Sequence, residues 1–195
     1  LPNTNMIDFR IYLHSFFSAV AKGEVDIYNE FSIQHEFGCY LRSKLDSTFK
    51  IQFERPVSFF NLNKSDFVKK EIDISVFTSD LSKKYAIELK FLRNGNGRVP
   101  ETMFDSCRDI SFLEQLRDRG FTQCNFVIVT DEPDFYKQVS EKISIYQYFR
   151  AGVPIHGSIQ KPTGAKDKKV NINGSYSIIW NNVTELIKYA IVEIG

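Results

Sequence analysis

The chain has 195 residues, 43% hydrophobic and 14% aromatic, which suits one compact domain with a sizeable core. Lys and Arg number 25 against 24 Asp and Glu, a net charge of +1, so no global basic field advertises nucleic acid and any such binding must rest on local positive charge. Three scattered cysteines without a CxxC pair and three histidines without an HExxH exclude zinc ribbons, disulfide frameworks and the common zinc-hydrolase pattern.

In chain order, Ile7 to Ala21 reads as an amphipathic helix on Ile11, Phe16, Phe17 and Val20, closed by Lys22-Gly23. A second helix is expected from about Tyr28 to Ser43, with Ile33, Phe37, Tyr40 and Leu41 as its apolar stripe. Phe49 to Phe53 alternates as a first strand, and Pro56 to Ser65 reads as a loop.

A hairpin follows. Glu71-Ile72-Asp73-Ile74-Ser75-Val76 and Tyr85-Ala86-Ile87-Glu88-Leu89-Lys90-Phe91 both alternate, with a polar turn at Ser79-Asp80-Leu81-Ser82 between them. The period of two marks half-buried strands. Ile72, Ile74, Val76, Ile87, Leu89 and Phe91 share the core face, while Asp73, Glu88 and Lys90 take the other. Folding symmetrically about Asp80-Leu81 sets Asp73 opposite Glu88 and Glu71 opposite Lys90, with facing Cβ atoms about 4.5–5.5 Å apart. Two carboxylates that close repel, and a divalent cation removes the conflict. Their hard oxygens suit Mg²⁺ or Mn²⁺, which can polarise a phosphoryl oxygen and activate water. Lys90 can orient that water or stabilise charge at phosphorus. Glu71 is either a further ligand or an ion-pair partner for Lys90. The plainer alternative is an exposed edge hairpin with ordinary cross-strand charge pairs.

Arg93 to Pro100 is a polar loop, Glu101 to Arg119 a helix closed by Gly120, and Phe126 to Val129 a fully apolar strand of the kind found inside a sheet. A further helix is expected from Asp131-Glu132-Pro133 to about Arg150. Residues 151–174, rich in Gly, Pro and Lys, read as a long mobile loop or insertion. The segment 175–195 is a C-terminal extension. In it Ser175 to Trp180 alternates as a strand, and the closing stretch fits either a helix or a strand. No membrane-length apolar run or signal-peptide pattern appears, so no membrane partner, a cytoplasmic location and buried free thiols are expected.

Helix, strand, acid-bearing hairpin, helix, strand is the αβββαβ order of the PD-(D/E)XK nuclease superfamily, and residues 28–130 resemble it. The carriers are Ile72-Asp73, Glu88-Leu89-Lys90, the Glu101–Arg119 helix and the Phe126–Val129 strand. Ile72 stands where the motif's name has proline. The resemblance implies an α/β, restriction-endonuclease-like domain over residues 1–195, with a mixed central sheet flanked by helices. It implies Mg²⁺-dependent phosphodiester hydrolysis, with Mn²⁺ able to substitute. The expected activity is that of a DNA endonuclease of restriction, repair or mobile-element defence type, with double-stranded DNA as the partner. Carried over by position, Asp73 and Glu88 are metal ligands, the Leu89 carbonyl is a further ligand, and Lys90 is the catalytic lysine. A helix glutamate before the first strand completes the set. Glu30 and Glu36 are the candidates, and Glu36 is preferred because it lies nearer that strand.

Arg93, Arg98, Lys161, Lys166, Lys168 and Lys169 are candidate nucleic-acid contacts, against the plainer reading of solvated loop charges. Asp105, Asp109 and Gln115 of the helix are further residues that could face the site. Paired cuts in a duplex would call for a homodimer. A competing function is a catalytically silent nucleic-acid-binding or interaction module on the same fold. Ser/His/Asp or thiol hydrolase chemistry lacks a nucleophile elbow or a local Cys–His signature.

Overall fold

A computed structural model describes residues 7–138, 144–165 and 167–195. Helix α1, Phe9–Ala21, is capped by Asp8, whose carboxylate accepts from the Arg10 N–H, and buries Phe9, Leu13, Phe16, Phe17 and Val20. Helix α2, Glu30–Lys44, starts in a capping box between Asn29 and Ser32. Gly38 lets α2 lie close on the sheet, because a Cβ there would strike the Phe53 ring.

Strands β1 (Phe49–Pro56), β2 (Glu71–Thr78) and β3 (Lys84–Leu92) form an antiparallel meander. Helix α3, Val99–Asp118, then crosses over to β4, Gln123–Thr130, which pairs parallel with β3. A parallel pair needs such a crossover, whereas the β2–β3 turn is a simple hairpin. After α4 (Tyr146–Arg150) come β5 (Ile155–Gln160) and β6 (Lys169–Tyr176), then the short β7 (Asn181–Asn182) and β8 (Lys188–Ile194). The main sheet runs β1-β2-β3-β4-β8-β7, and β5-β6 form a separate two-stranded sheet. The fold is mixed α/β with a mixed sheet.

The sheet separates two cores. Ile74, Val76, Tyr85, Ile87, Leu89, Val127 and Val129 meet α1 and α2, while Ala86, Phe126, Ile128, Ala190 and Val192 meet α3. Both central strands are therefore covered on both faces, and the expectation of half-buried strands is corrected: β2 is buried from Ile72 to Phe77 and β3 from Tyr85 to Leu89. The alternation also breaks at Asp73. Ile74 packs towards the α1–α2 side, but Ile72 belongs to the α3 side. Beside the break, Glu54 in β1 has φ 50°, a left-handed conformation that a non-glycine residue holds only under local constraint.

Other expectations change as well. Residues 151–174 include most of the β5–β6 hairpin, in which Ile155, Ile159, Val170 and Ile172 point inward. The Gly and Lys content marks its turn and its wet face rather than a long loop. The alternation expected at Ser175 to Trp180 belongs to the end of β6, which stops at Tyr176. The ambiguous C-terminal stretch is strand β8, because β4 offers it an open edge. In place of one helix from Asp131, a 3-10 turn spans Pro133–Phe135 and α4 begins at Tyr146, with residues 139–143 outside the described ones. Cys39 is exposed, whereas Cys107 and Cys124 are buried as expected. No described helix is long and apolar enough to cross a membrane.

Candidate functional site

The antiparallel pairs Ile74↔Ile87 and Val76↔Tyr85 follow the register that sets Asp73 opposite Glu88. Beyond Ile74 the two strands part, and carboxylates fill the gap. The Asp73 N–H donates to Glu88 Oε1 at 3.2 Å, and the Leu89 N–H donates to Asp73 Oδ2 at 2.8 Å. Side chains thus take over from the ladder where the hairpin opens. Glu88 is 0% exposed and Asp73 6% exposed, so the acids are buried instead of leaving the core, with Glu88 near Asp109 of α3 and Asp73 lining a cleft with α2.

A third residue joins them. Lys69, in the loop before β2, places its ammonium 2.6 Å from Asp73 Oδ1 and also donates to Glu88 Oε2. Lys90 lies one pleat beyond Glu88 but faces α3. Its ammonium is 2.7 Å from Asp109 Oδ2 and donates to the Leu89 carbonyl at 3.0 Å. Asp109 is fully buried, and neither of its oxygens accepts a hydrogen bond of good geometry, so Lys90 holds it by charge.

Helix α2 closes the other side. Glu30 accepts from the Phe91 N–H at 3.3 Å, and Gln34 donates to Glu54 at 2.8 Å and to the Asp73 carbonyl at 2.7 Å. Glu30, Phe31, Gln34, Glu54, Asp73 and Leu89 line a cleft of about 80 Å³. Glu36, preferred from the sequence, lies elsewhere on α2, 39% exposed and paired with His35 at 3.0 Å. The structure therefore brings Glu30, not Glu36, to the acid pair. Glu71 is exposed and takes no part, its expected partner Lys90 being committed to Asp109.

The candidate arginines lie after β3, and the described candidate lysines lie together in the β5–β6 hairpin. Arg93 is held by Asp131 at 2.8 Å and by the Tyr28 carbonyl at 2.9 Å. Arg98 is exposed at the start of α3, and Lys161, Lys168 and Lys169 lie in the β5–β6 hairpin. Lys166 lies outside the described residues. Asp105 pairs with Arg108 at 3.4 Å, and Gln115 accepts from the Val68 N–H at 3.0 Å.

Two ammoniums, Lys69 and Lys90, face four carboxyls, Asp73, Glu88, Asp109 and Glu30. Fully ionised, this cluster would carry two negative charges in excess. Burial pushes the Glu88 carboxyl well above the usual carboxylate range, and the charge of Asp73 adds to the shift. Burial likewise raises Asp109 and Glu30, against the pull of Lys90. Burial works against the Lys69 and Lys90 ammoniums, but the carboxylates around them outweigh it and keep both protonated. Away from the cluster, burial pushes the Cys107 thiol up to about 12, which leaves it without nucleophilic character at neutral pH.

The donor chemistry fits a divalent cation. Asp73, Glu88, Glu30 and the Leu89 carbonyl are hard oxygen donors, and one point charge, the Lys69 ammonium, already touches both Asp73 and Glu88. Among the described residues no three His, Cys, Asp or Glu side chains converge as a ready coordination shell, and Lys69 stands where Asp73 and Glu88 would meet an ion.

The sequence did not single out Lys69 or Glu54. Lys69 has no periodic signal, since its contact depends on the course of a loop. Asp109 did carry one, falling on the α3 face set by Ser106, Ile110 and Leu113 at spacings of three, one and four. No family model, curated protein or solved structure matches this chain.

Proposed function

We propose that the chain is a divalent-cation-dependent phosphodiesterase of the PD-(D/E)XK kind that cuts DNA as an endonuclease. The observation that carries this reading is the pair Asp73 and Glu88, interlocked where β2 and β3 part and bridged by one positive charge. Neutral packing would serve stability better than two such acids, so the arrangement suits a cation that has to be held. The order α2-β1-β2-β3-α3-β4, with β3 and β4 parallel, supports the family resemblance.

In this reading Asp73 and Glu88 would hold the cation, with the Leu89 carbonyl and Glu30 as further oxygen donors. When bound, a divalent cation polarises a phosphoryl oxygen and lowers the pKa of its water. Lys90, fixed by Asp109, supplies positive charge for the oxygens at phosphorus. A second reading is a silent binding module on the same fold. It is favoured by the fact that both lysines are already neutralised from within.

Wild type, Glu88→Gln and Lys90→Ala proteins incubated with supercoiled plasmid, single-stranded circle and RNA, each in Mg²⁺, Mn²⁺ or EDTA, test the two. Plasmid cleavage by wild type alone, and only with a cation, is the expected outcome. Undiminished cleavage by both variants removes the active-site assignment. Binding of DNA by wild type without cleavage in any cation selects the silent module.

A further inference from the structure

We propose that Lys69 is an internal stand-in for the divalent cation: its ammonium neutralises Asp73 and Glu88 in the cation-free protein and must swing out for a cation to bind. This rests on the phosphodiesterase reading above and assigns a role to a residue outside the Asp…Glu-x-Lys pattern.

The carboxylates themselves are not free to separate. Each is tied to the backbone beside the other, through the Asp73 N–H to Glu88 Oε1 at 3.2 Å and the Leu89 N–H to Asp73 Oδ2 at 2.8 Å. They therefore remain face to face whatever neutralises them. Lys69 does so by touching one oxygen of each acid. Lys90 is not the neutralising group, because its ammonium is engaged by Asp109 at 2.7 Å and by the Leu89 carbonyl at 3.0 Å.

The backbone around Lys69 is pinned on both sides. The Val68 N–H donates to Gln115 Oε1 at 3.0 Å, and the Lys70 carbonyl accepts from the Val57 N–H at 2.9 Å. The Phe67 ring packs edge-on against Phe112. The moving part is thus the Lys69 side chain alone, four methylenes ending in a charge and still 23% exposed. Its way out leads to water, where an ammonium is well solvated.

Charge gives the exchange its direction. Fully ionised, the cluster has two more carboxylates than ammoniums, and replacing a single charge by a double one brings it nearer to neutrality. A monovalent ion gains nothing by the exchange. Lys69 therefore sets a threshold that selects doubly charged cations, at the expense of affinity. If the form with Lys69 swung out is populated to about one part in ten to one in a hundred, the apparent dissociation constant rises by about tenfold to a hundredfold.

Two measurements on EDTA-stripped protein test this. The first is calorimetric titration with Mn²⁺ of wild type and Lys69→Met, which keeps most of the apolar stem. The variant is expected to bind at least about tenfold more tightly. The second uses wild type alone, so it does not depend on the variant folding. Reductive methylation is followed by mass spectrometry at Lys69, with the exposed neighbour Lys70 as internal reference. Labelling of Lys69 relative to Lys70 is expected to rise when Mn²⁺ saturates the protein. Equal or weaker Mn²⁺ binding by Lys69→Met, or labelling indifferent to Mn²⁺, overturns the role of Lys69 and leaves the phosphodiesterase reading standing. Failure of both proteins to bind Mn²⁺ overturns the two together.

Discussion

Helix α3 carries one buried glutamate and covers another. Glu114, on the helix, accepts from the N–H groups of Asn173 at 3.0 Å and Gly174 at 2.6 Å and from the Tyr176 hydroxyl at 3.0 Å. Its donors are neutral, they come from β6, and they pin the small sheet to the helix. Glu88, on β3, has Asp73 and Asp109 for neighbours and depends on Lys69 for relief. Depth of burial does not separate the two, at 7% and 0% exposed. What separates them is that Glu114 is satisfied by partners that need nothing further, whereas Glu88 belongs to a group of like charges kept together. Unrelieved like charge inside a protein costs stability, so such a group calls for a ligand or a chemical task in a way that Glu114 does not.

The contrast can be broken most forcefully at Lys90. Lys90→Met leaves Asp109 buried without its nearest counter-charge, and the cost is expected to be about 3–5 kcal/mol, read as a drop in urea stability. Adding Asp109→Leu should return most of that loss, because both charges are then gone. Full additivity of the two losses would mean that the pair is not coupled. Next in size is Glu88→Gln. Plasmid cleavage is expected to fall by about a hundredfold to a thousandfold, with the fold intact. Glu114→Gln should reverse that pattern, keeping cleavage while losing about 1–3 kcal/mol of stability, since an amide cannot accept all three hydrogen bonds as well. A cleavage defect in Glu114→Gln equal to that of Glu88→Gln would erase the distinction.

These two acids also mark how far the sequence could be read. Period-two alternation and a polar turn were sufficient for the hairpin register, which Ile74↔Ile87 and Val76↔Tyr85 bear out. Alternation gives the face of a strand but not what covers it, so it sets Glu88 and Asp73 at a surface where the structure buries both. That Glu30 and not Glu36 lies beside the acid pair has a geometric reason. Helix α2 leads back to the start of β1, and the cluster lies at the other end, beside Glu54 and the start of β2. The glutamate nearest β1 in sequence is thus the farther one in space. Glu114 could not be distinguished from any helical glutamate, because its donors lie about 60 residues away in a hairpin that reads as a loop. Lys69 was hidden for the same reason: its position is set by where Phe67 and Lys70 are anchored, and no short-range pattern encodes that.

A smaller effect distinguishes the two regions by pH. Burial raises Glu88, Asp109 and Glu30 above the usual carboxylate range. A carboxyl raised in the folded state binds its proton more tightly there than in the unfolded chain. The stability it contributes is complete below the unfolded value and is lost as pH rises through the folded value. For one such group the slope is about 1.4 kcal/mol per pH unit between the two values. EDTA-stripped wild type should therefore lose ground to Glu88→Gln as the pH is raised from the acid side towards neutrality, in paired thermal melts. Saturating Mn²⁺ competes with the proton and should recover the loss in wild type only. A stability difference that stays constant with pH would show that Glu88 ionises as freely as an exposed acid.

The smallest effect concerns the outer hairpin, where scaffolding and binding can be told apart. Lys168 and Lys169 are exposed at the start of β6, and the turn before them is tied to α3 by the Thr163 hydroxyl donating to Glu101. Replacing both lysines by alanine removes no buried contact, so stability should change by less than about 0.5 kcal/mol. If these lysines meet phosphates, DNA affinity weakens and the dependence of log K on log salt becomes shallower by about one per lysine. Turnover of bound DNA should not change, because neither side chain reaches the acid pair. A salt dependence that stays the same would assign the hairpin to scaffolding alone, held by Glu114, and would leave phosphate contacts to be sought nearer the cleft that Glu30 and Phe31 line.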